Sequence, residues 1–313
     1  MRILLLGANG QVGFELRRSL APLGDVVAAK RSGELSGGDP CAVADLADAD
    51  SLAAALDAAH ADVVVNAAAC TAVDRVEDEP ESADRINHRA VGEIGAWAVA
   101  HGARVVHYST DYVFDGAATR PYREDDPTAP LGVYGRSKLA GEDALRASGA
   151  GHLVFRTSWV YAARGHNFLR TMLRLAGERD ELRVVADQVG APTPARWIAD
   201  ATAAALAQWP DADSGHALDG TYHLVARGHC SWFDFAEAIF DGAVARGLLP
   251  RVPHLVAIAS ADYPVRARRP ACSVLDCAKL ENAFGLQLRD WRDGLRAVLD
   301  EVAGPRTPAR PSR

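Results

Sequence analysis

Lysine is nearly missing from this chain: only Lys30, Lys138 and Lys279 occur in 313 residues, so 31 of the 34 basic side chains are arginine. No run of eighteen apolar residues is present, which excludes a membrane-spanning helix. The five cysteines, Cys41, Cys70, Cys230, Cys272 and Cys277, are odd in number and never spaced C-x-x-C. That excludes a disulfide framework or zinc knuckle and suits a reducing compartment. No histidine spacing suggests a catalytic metal, and no basic aromatic patch suggests nucleic acid. Acidic residues outnumber basic ones 41 to 34, a net charge of -7 that opposes polyanionic partners but admits a small anionic ligand. The apolar run Ile3-Leu4-Leu5-Leu6 leads into Gly7 with no small-residue cleavage site, so it reads as a first strand and the expected location is cytoplasmic.

Short apolar runs at 2–6, 25–29, 62–65, 104–108 and 153–155 alternate with helix-like segments such as 51–59. That alternation predicts an α/β fold built on a doubly wound parallel sheet covered on both faces. A chain of this length forms one large domain or two moderate ones. After about residue 161 the alternation weakens. Helices are expected at 167–177 and 231–246, and further strands near 183–185 and 221–225 return to the sheet. The expected organisation is a dinucleotide-binding domain over 1–160, a smaller interleaved substrate-binding lobe over 161–303, and a disordered tail over 304–313.

Gly7, Gly10 and Gly13 flank Gln11 and Val12 between the first strand and an amphipathic segment. Such a turn lets backbone N–H groups approach a pyrophosphate and seats the following helix against the strand. A dinucleotide is the implied ligand. After the second strand, Lys30 and Arg31 stand where an acidic residue usually reads a ribose diol; two cations match a 2′-phosphate, so NADPH is expected, with NADH as the alternative. Asp45 and Leu46 end the next short strand and are placed to touch the adenine. Ala68 and Ala69 follow Asn66-Ala67 at another strand end, where small side chains admit a cofactor.

Tyr134 and Lys138 form Y-x-x-x-K, one helical turn apart and on one face. Seven tyrosines and three lysines would give about 0.07 such pairs by chance. A carbonyl reduced by hydride needs a proton, and an ammonium beside a phenol lowers the phenol's pKa toward the working range. At the carboxyl end of the strand Val105-Val106-His107-Tyr108, either Ser109 or Thr110 supplies a hydroxyl to the crevice.

These motifs, with the strings Gly10-Gln11-Val12-Gly13-Phe14-Glu15-Leu16, Asn66 to Asp74, Ser109 to Phe114, Tyr134 to Glu142, Phe155 to Tyr161 and Asp187 to Thr193, resemble the extended short-chain dehydrogenases. Within them the chain is similar to the dTDP-4-dehydrorhamnose reductase family over residues 1 to about 302. The resemblance implies NAD(P)H-dependent reduction of dTDP-4-dehydro-L-rhamnose at C4. It casts Tyr134 as proton donor, Lys138 as ribose clamp and Thr110, in preference to Ser109, as carbonyl partner. It also places Asp111, Tyr112 and Trp159 against the sugar nucleotide, Tyr108, Ala68, Ala69 and Thr71 on the cofactor side, and Asn167, Arg268 and Arg269 as further substrate contacts. Some relatives dimerise around Mg²⁺ through three glutamates. Glu15 and Glu301 match two of these, but the third is Arg196, so no metal is expected, and the protein is a monomer or a metal-independent homodimer. A related epimerase or dehydratase would need further acid/base residues, and a non-catalytic regulatory subunit would not need Thr110, Tyr134 and Lys138.

Overall fold

The structure, a computed structural model, describes residues 1–209 and 217–304; beyond its first residue, the segment expected as a tail lies outside the described residues. Seven strands form the central sheet in the order Gly220–His223, β6 (His152–Thr157), β5 (Arg104–Thr110), β4 (Val63–Asn66), β1 (Arg2–Leu6), β2 (Asp25–Lys30) and β3 (Ala42–Val43). All neighbours run parallel. The apolar strands explain why: Ile3 to Leu6 and Val63 to Val65 are fully buried, as expected of strands covered on both faces.

On one face Leu16 and Leu20 of α1 (Gln11–Leu20) pack with Ile198 and Leu206 of the helix Ala195–Gln208 against Ile3, Leu5 and Val106. On the other, Leu52 and Leu56 of α2 (Ala49–Ala59) join Ile94 and Leu145 against Leu4, Val64 and Val105. Asp48 caps α2 by accepting from the backbone N–H groups of Asp50 and Ser51. The strand order reverses between the adjacent parallel strands β1 and β4, since β2 and β3 are added on one side of β1 and β4 to β6 on the other, so the crevice of the sheet opens at their carboxyl ends.

A third core joins the helices Phe168–Glu178, Trp232–Val244 and Trp291–Ala303 through Leu169, Phe235, Ile239 and Trp291. One strand expectation needs correcting. Gly220–His223 does join the sheet beside β6, but Glu181–Val185 pairs in parallel with His254–Ile258 as a separate two-stranded sheet. Its burial alternates, with Glu181 and Arg183 exposed, so it offers one apolar face to the helices and could not sit in a sheet covered on both sides. The helix Ala195–Gln208, although beyond residue 161, packs on α1 and belongs with the central sheet.

Candidate active site

The loop after β1 is shaped by contact. Gly7 has φ +76, and a Cβ there would lie 2.7 Å from the backbone nitrogen of Ala68; a Cβ on Gly13 would lie 2.1 Å from the carbonyl oxygen of Gly7. Only hydrogen fits at either place. Gly10 is the N-cap of α1 and brings no capping side chain, so N–H groups of the first turn, including those of Gln11 and Val12, are left to face an anion. This cradle fits a dinucleotide diphosphate. Asn9 ties it to the turn after β2, its Oδ1 accepting from Ser36 N–H at 3.1 Å. Lys30 Nζ donates to the Glu34 carbonyl in that same turn at 2.9 Å, while Arg31 is exposed. Asp45 Oδ1 accepts from Ala47 N–H, and Leu46 is buried in the core. Ala68 and Ala69 are half-buried beyond the end of β4, and Thr71 is exposed.

Thr110 closes β5. Its hydroxyl donates to Asp111 Oδ1 at 3.0 Å and accepts from Tyr112 N–H at 3.2 Å. Tyr134 stands in the first turn of the helix Val133–Ser148, and its phenol lies near enough to Thr110 for that side chain to pull its pKa down against burial. A Cβ on Gly135 would lie 2.2 Å from the Tyr112 carbonyl oxygen, so a hydrogen there lets the helix start press against the loop. The ring of Tyr134 meets that of Tyr112 edge-on at 5.7 Å. Between the two hydroxyls left open by the sequence, Thr110 is the one beside the Tyr134 phenol, whereas Ser109 faces Glu142. Burial pushes the Asp111 carboxyl up to about 6, against the opposing pull of hydrogen bonds from Ser273 and Thr110.

The expectation that Lys138 lowers the Tyr134 pKa is corrected here. Burial, followed by the charge of Asp111, moves the phenol well above its ordinary value. Lys138, itself buried, turns its Nζ to His107 Nε2 at 3.1 Å. The one-turn spacing sets the two residues on one helix face, but a partner on β5 decides where the ammonium points. Burial brings Lys138 down to about 8, with the charge of Glu142 pulling the other way. Glu142 is locked by a buried bidentate pair with Arg156, at 3.0 and 2.8 Å.

Beyond β6, Trp159 has φ +47 and its ring stacks on Trp232 with centroids 3.4 Å apart. The stack borders a crevice of about 1140 Å³ lined by Phe168, Gln188, Trp232, Tyr263, Arg268 and Arg269. Arg269 donates to Asp74 Oδ2 at 2.8 Å and lies beside Tyr112, whereas Arg268 is exposed on the rim. Asn167 caps the helix Phe168–Glu178 by accepting from Arg170 N–H, and its Nδ2 donates to Gln11 Oε1 at 2.8 Å. Tyr108 packs in the core against Phe155, and its hydroxyl pairs with Thr202 at 2.8 Å. Arg196 bonds both Glu15, at 3.1 Å, and Glu301, at 3.0 Å, so a guanidinium balances the two carboxylates. Sequence reading assigned no role to His107, Asn66, Ser273 or Trp232. Asn66 and His107 at facing positions of adjacent central strands were the available signal for the first pair; nothing local marked the others.

Comparison with known proteins agrees with this geometry. The family model described as RmlD substrate binding domain matches residues 1–303. A curated dTDP-4-dehydrorhamnose reductase of Burkholderia thailandensis is 50% identical over 295 residues, covering 93% of this chain and 96% of the relative. Among solved structures, a dTDP-4-dehydrorhamnose reductase from Clostridium acetobutylicum superposes with a TM-score of 0.84 at 33% identity, covering 96% of this chain and 99% of that one. The enzyme of the same name from Bacillus anthracis, solved in complex with NADP, has a TM-score of 0.81 at 31% identity, covering 95% of this chain and 98% of that one. Strand order, glycine cradle, paired hydroxyls and near full-length similarity converge: the chain belongs to the RmlD substrate binding domain family, the family of the dTDP-4-dehydrorhamnose reductases.

Proposed function

We propose that this protein reduces the C4 keto group of dTDP-4-dehydro-L-rhamnose with NADPH, giving dTDP-L-rhamnose. The observation that carries the reading is the Thr110 hydroxyl beside the buried Tyr134 phenol at the carboxyl end of β5, on the crevice side of the sheet that also bears the glycine cradle. When bound, the nicotinamide supplies a hydride. Tyr134 holds the proton that the developing alkoxide at C4 takes up, and its raised pKa keeps that proton in place until the alkoxide forms. Thr110 fixes the carbonyl oxygen beside the phenol. Gly7, Gly10, Gln11, Val12 and Gly13 hold the cofactor diphosphate, Lys30 and Arg31 its 2′-phosphate, and Asp45, Ala68, Ala69 and Thr71 line the approach to it, with Leu46 and Tyr108 backing that wall from the core. Lys138 holds the nicotinamide ribose. Asp111, Tyr112 and Trp159 take the sugar, with Asn167 at the junction of the two ligands. Arg269 and Arg268 face the substrate diphosphate, because guanidinium groups suit its paired oxygens. Among the described residues no helix is long and apolar enough to cross a membrane. The protein acts in the cytoplasm, as a monomer or a metal-independent homodimer.

The test incubates purified protein and NADPH with dTDP-4-dehydro-L-rhamnose and follows loss of NADPH absorbance. Tyr134→Phe is expected to lower kcat by roughly 100-fold or more. Undiminished turnover in that variant would overturn the assignment of the proton donor. In the same assay, Lys30→Ala with Arg31→Ala lowers the preference for NADPH over NADH; an unchanged preference rejects the 2′-phosphate reading.

A further inference from the structure

Behind Lys138 a buried file of polar groups runs back toward the cofactor side of the sheet. Lys138 Nζ lies 3.1 Å from His107 Nε2, and His107 Nδ1 lies 3.3 Å from Asn66 Nδ2. Asn66 Oδ1 already accepts from Ala68 N–H at 3.1 Å, so the amide offers the ring only hydrogens. A neutral imidazole has one donor and one acceptor nitrogen. With Nδ1 accepting from Asn66, the ring hydrogen sits on Nε2 and points at Nζ. An amine can accept that hydrogen; an ammonium, which has no lone pair, cannot. All three residues are at most 2% exposed, so solvent does not relieve the conflict.

The geometry points to His107 as a positioning residue that, held in the Nε2–H form by Asn66, disfavours the ammonium of Lys138 and so links the Ala68 loop to the charge of the lysine. This inference rests on the proposed reductase reading only for its kinetic consequence. The other groups bearing on Lys138 are Glu142, one turn along its own helix, and Arg156 of β6, which is paired to Glu142; Tyr134, Asp111 and Cys70 are further titratable groups around the site. His107 stays neutral, because burial and the neighbouring lysine both hold its pKa well below the ordinary histidine value.

The first test needs no substrate. Long-range ¹H–¹⁵N correlation on the uniformly labelled full chain, with the His107 signals identified by their loss in His107→Gln, reads the tautomer directly. The expected result is an unprotonated Nδ1 and a protonated Nε2 at alkaline pH, with the other tautomer growing as pH falls and Lys138 takes up its proton. A ring protonated on Nδ1 throughout overturns the proposal. The second test is kinetic. Asn66→Leu frees the ring to present Nε2 as an acceptor, so the alkaline limb of kcat moves up by roughly half a pH unit or more, while the KM for NADPH changes less than kcat. Asn66→Asp, which has only acceptors and keeps the Ala68 bond, moves the limb in the same direction and serves if Asn66→Leu does not fold. A limb that stays put in a folded variant overturns the proposal. Should the wild-type protein reduce no 4-keto sugar, the functional reading fails and the tautomer measurement still decides this one.

Discussion

Replacing Lys138 with methionine, which is similar in length and uncharged, isolates what the buried ammonium costs the fold. Burial lowers the Lys138 pKa from 10.5 to about 8. At roughly 1.4 kcal/mol per pH unit, the charged form therefore opposes folding by ~3 kcal/mol at neutral pH. The unfolded chain keeps its proton up to about pH 10.5, whereas the folded protein releases it near pH 8. In that window the unfolded state binds more protons, so wild-type stability rises with pH. Lys138→Met has no such slope from this position. Contributions from all other titrating groups cancel in the difference between the two proteins, which should change by ~2 kcal/mol in favour of wild type between about pH 7 and about pH 9.5. The absolute difference near pH 7 is less informative, because methionine leaves a ring nitrogen of His107 without a partner at a cost of about 1–3 kcal/mol. Urea denaturation followed by tryptophan fluorescence supplies both stabilities. A difference that stays flat within ~0.5 kcal/mol across this range would refute a depressed pKa at Lys138.

The Asp111 carboxyl gives the opposite slope: with its pKa raised from 3.8 to about 6, stability falls as pH rises through that window, by up to ~3 kcal/mol. Asp111→Asn should abolish this dependence, read from unfolding midpoints at about pH 4.5 and about pH 7; an unchanged slope assigns it to another group. Glu142→Gln strands Arg156, 3% exposed, as a buried charge and should cost about 3–5 kcal/mol, part of which returns in the double variant with Arg156→Leu. Denaturant titration of the single and double variants checks this, and a single-variant loss below ~1 kcal/mol counts against it. Gly13→Ala drives a Cβ to within 2.1 Å of the Gly7 carbonyl oxygen and should weaken NADPH binding by roughly tenfold or more in a fluorescence titration. Wild-type affinity there would mean the cradle does not hold the diphosphate.

Local pattern carried much of this molecule. The buried run Ile3 to Leu6, the three glycines and the amphipathic α1 lie within twenty residues, and their physics is short-range, so the β1–loop–α1 unit was legible. Tyr134 and Lys138 were legible as a pair for the same reason. Where Lys138 points was not, since His107 stands on β5, 31 residues earlier, and only the fold brings the two together. Arg268 and Arg269 look alike in the sequence; the loop backbone turns the second toward Asp74 and Tyr112 and leaves the first exposed. The strand at 181–185 was misplaced although Glu181 and Arg183 already announced a half-exposed face. Trp232, 73 residues beyond Trp159, became visible as its stacking partner only once the lobe was assembled.

The amide of Asn167 joins two parts of the protein that lie 156 positions apart in the sequence. One end starts the helix bearing Phe168, on the wall of the crevice beside Trp232, and the other grips Gln11 in the glycine turn. A single side chain thereby acts as a common keystone: whatever settles the turn also steadies the wall opposite, and loosening either is felt by the other.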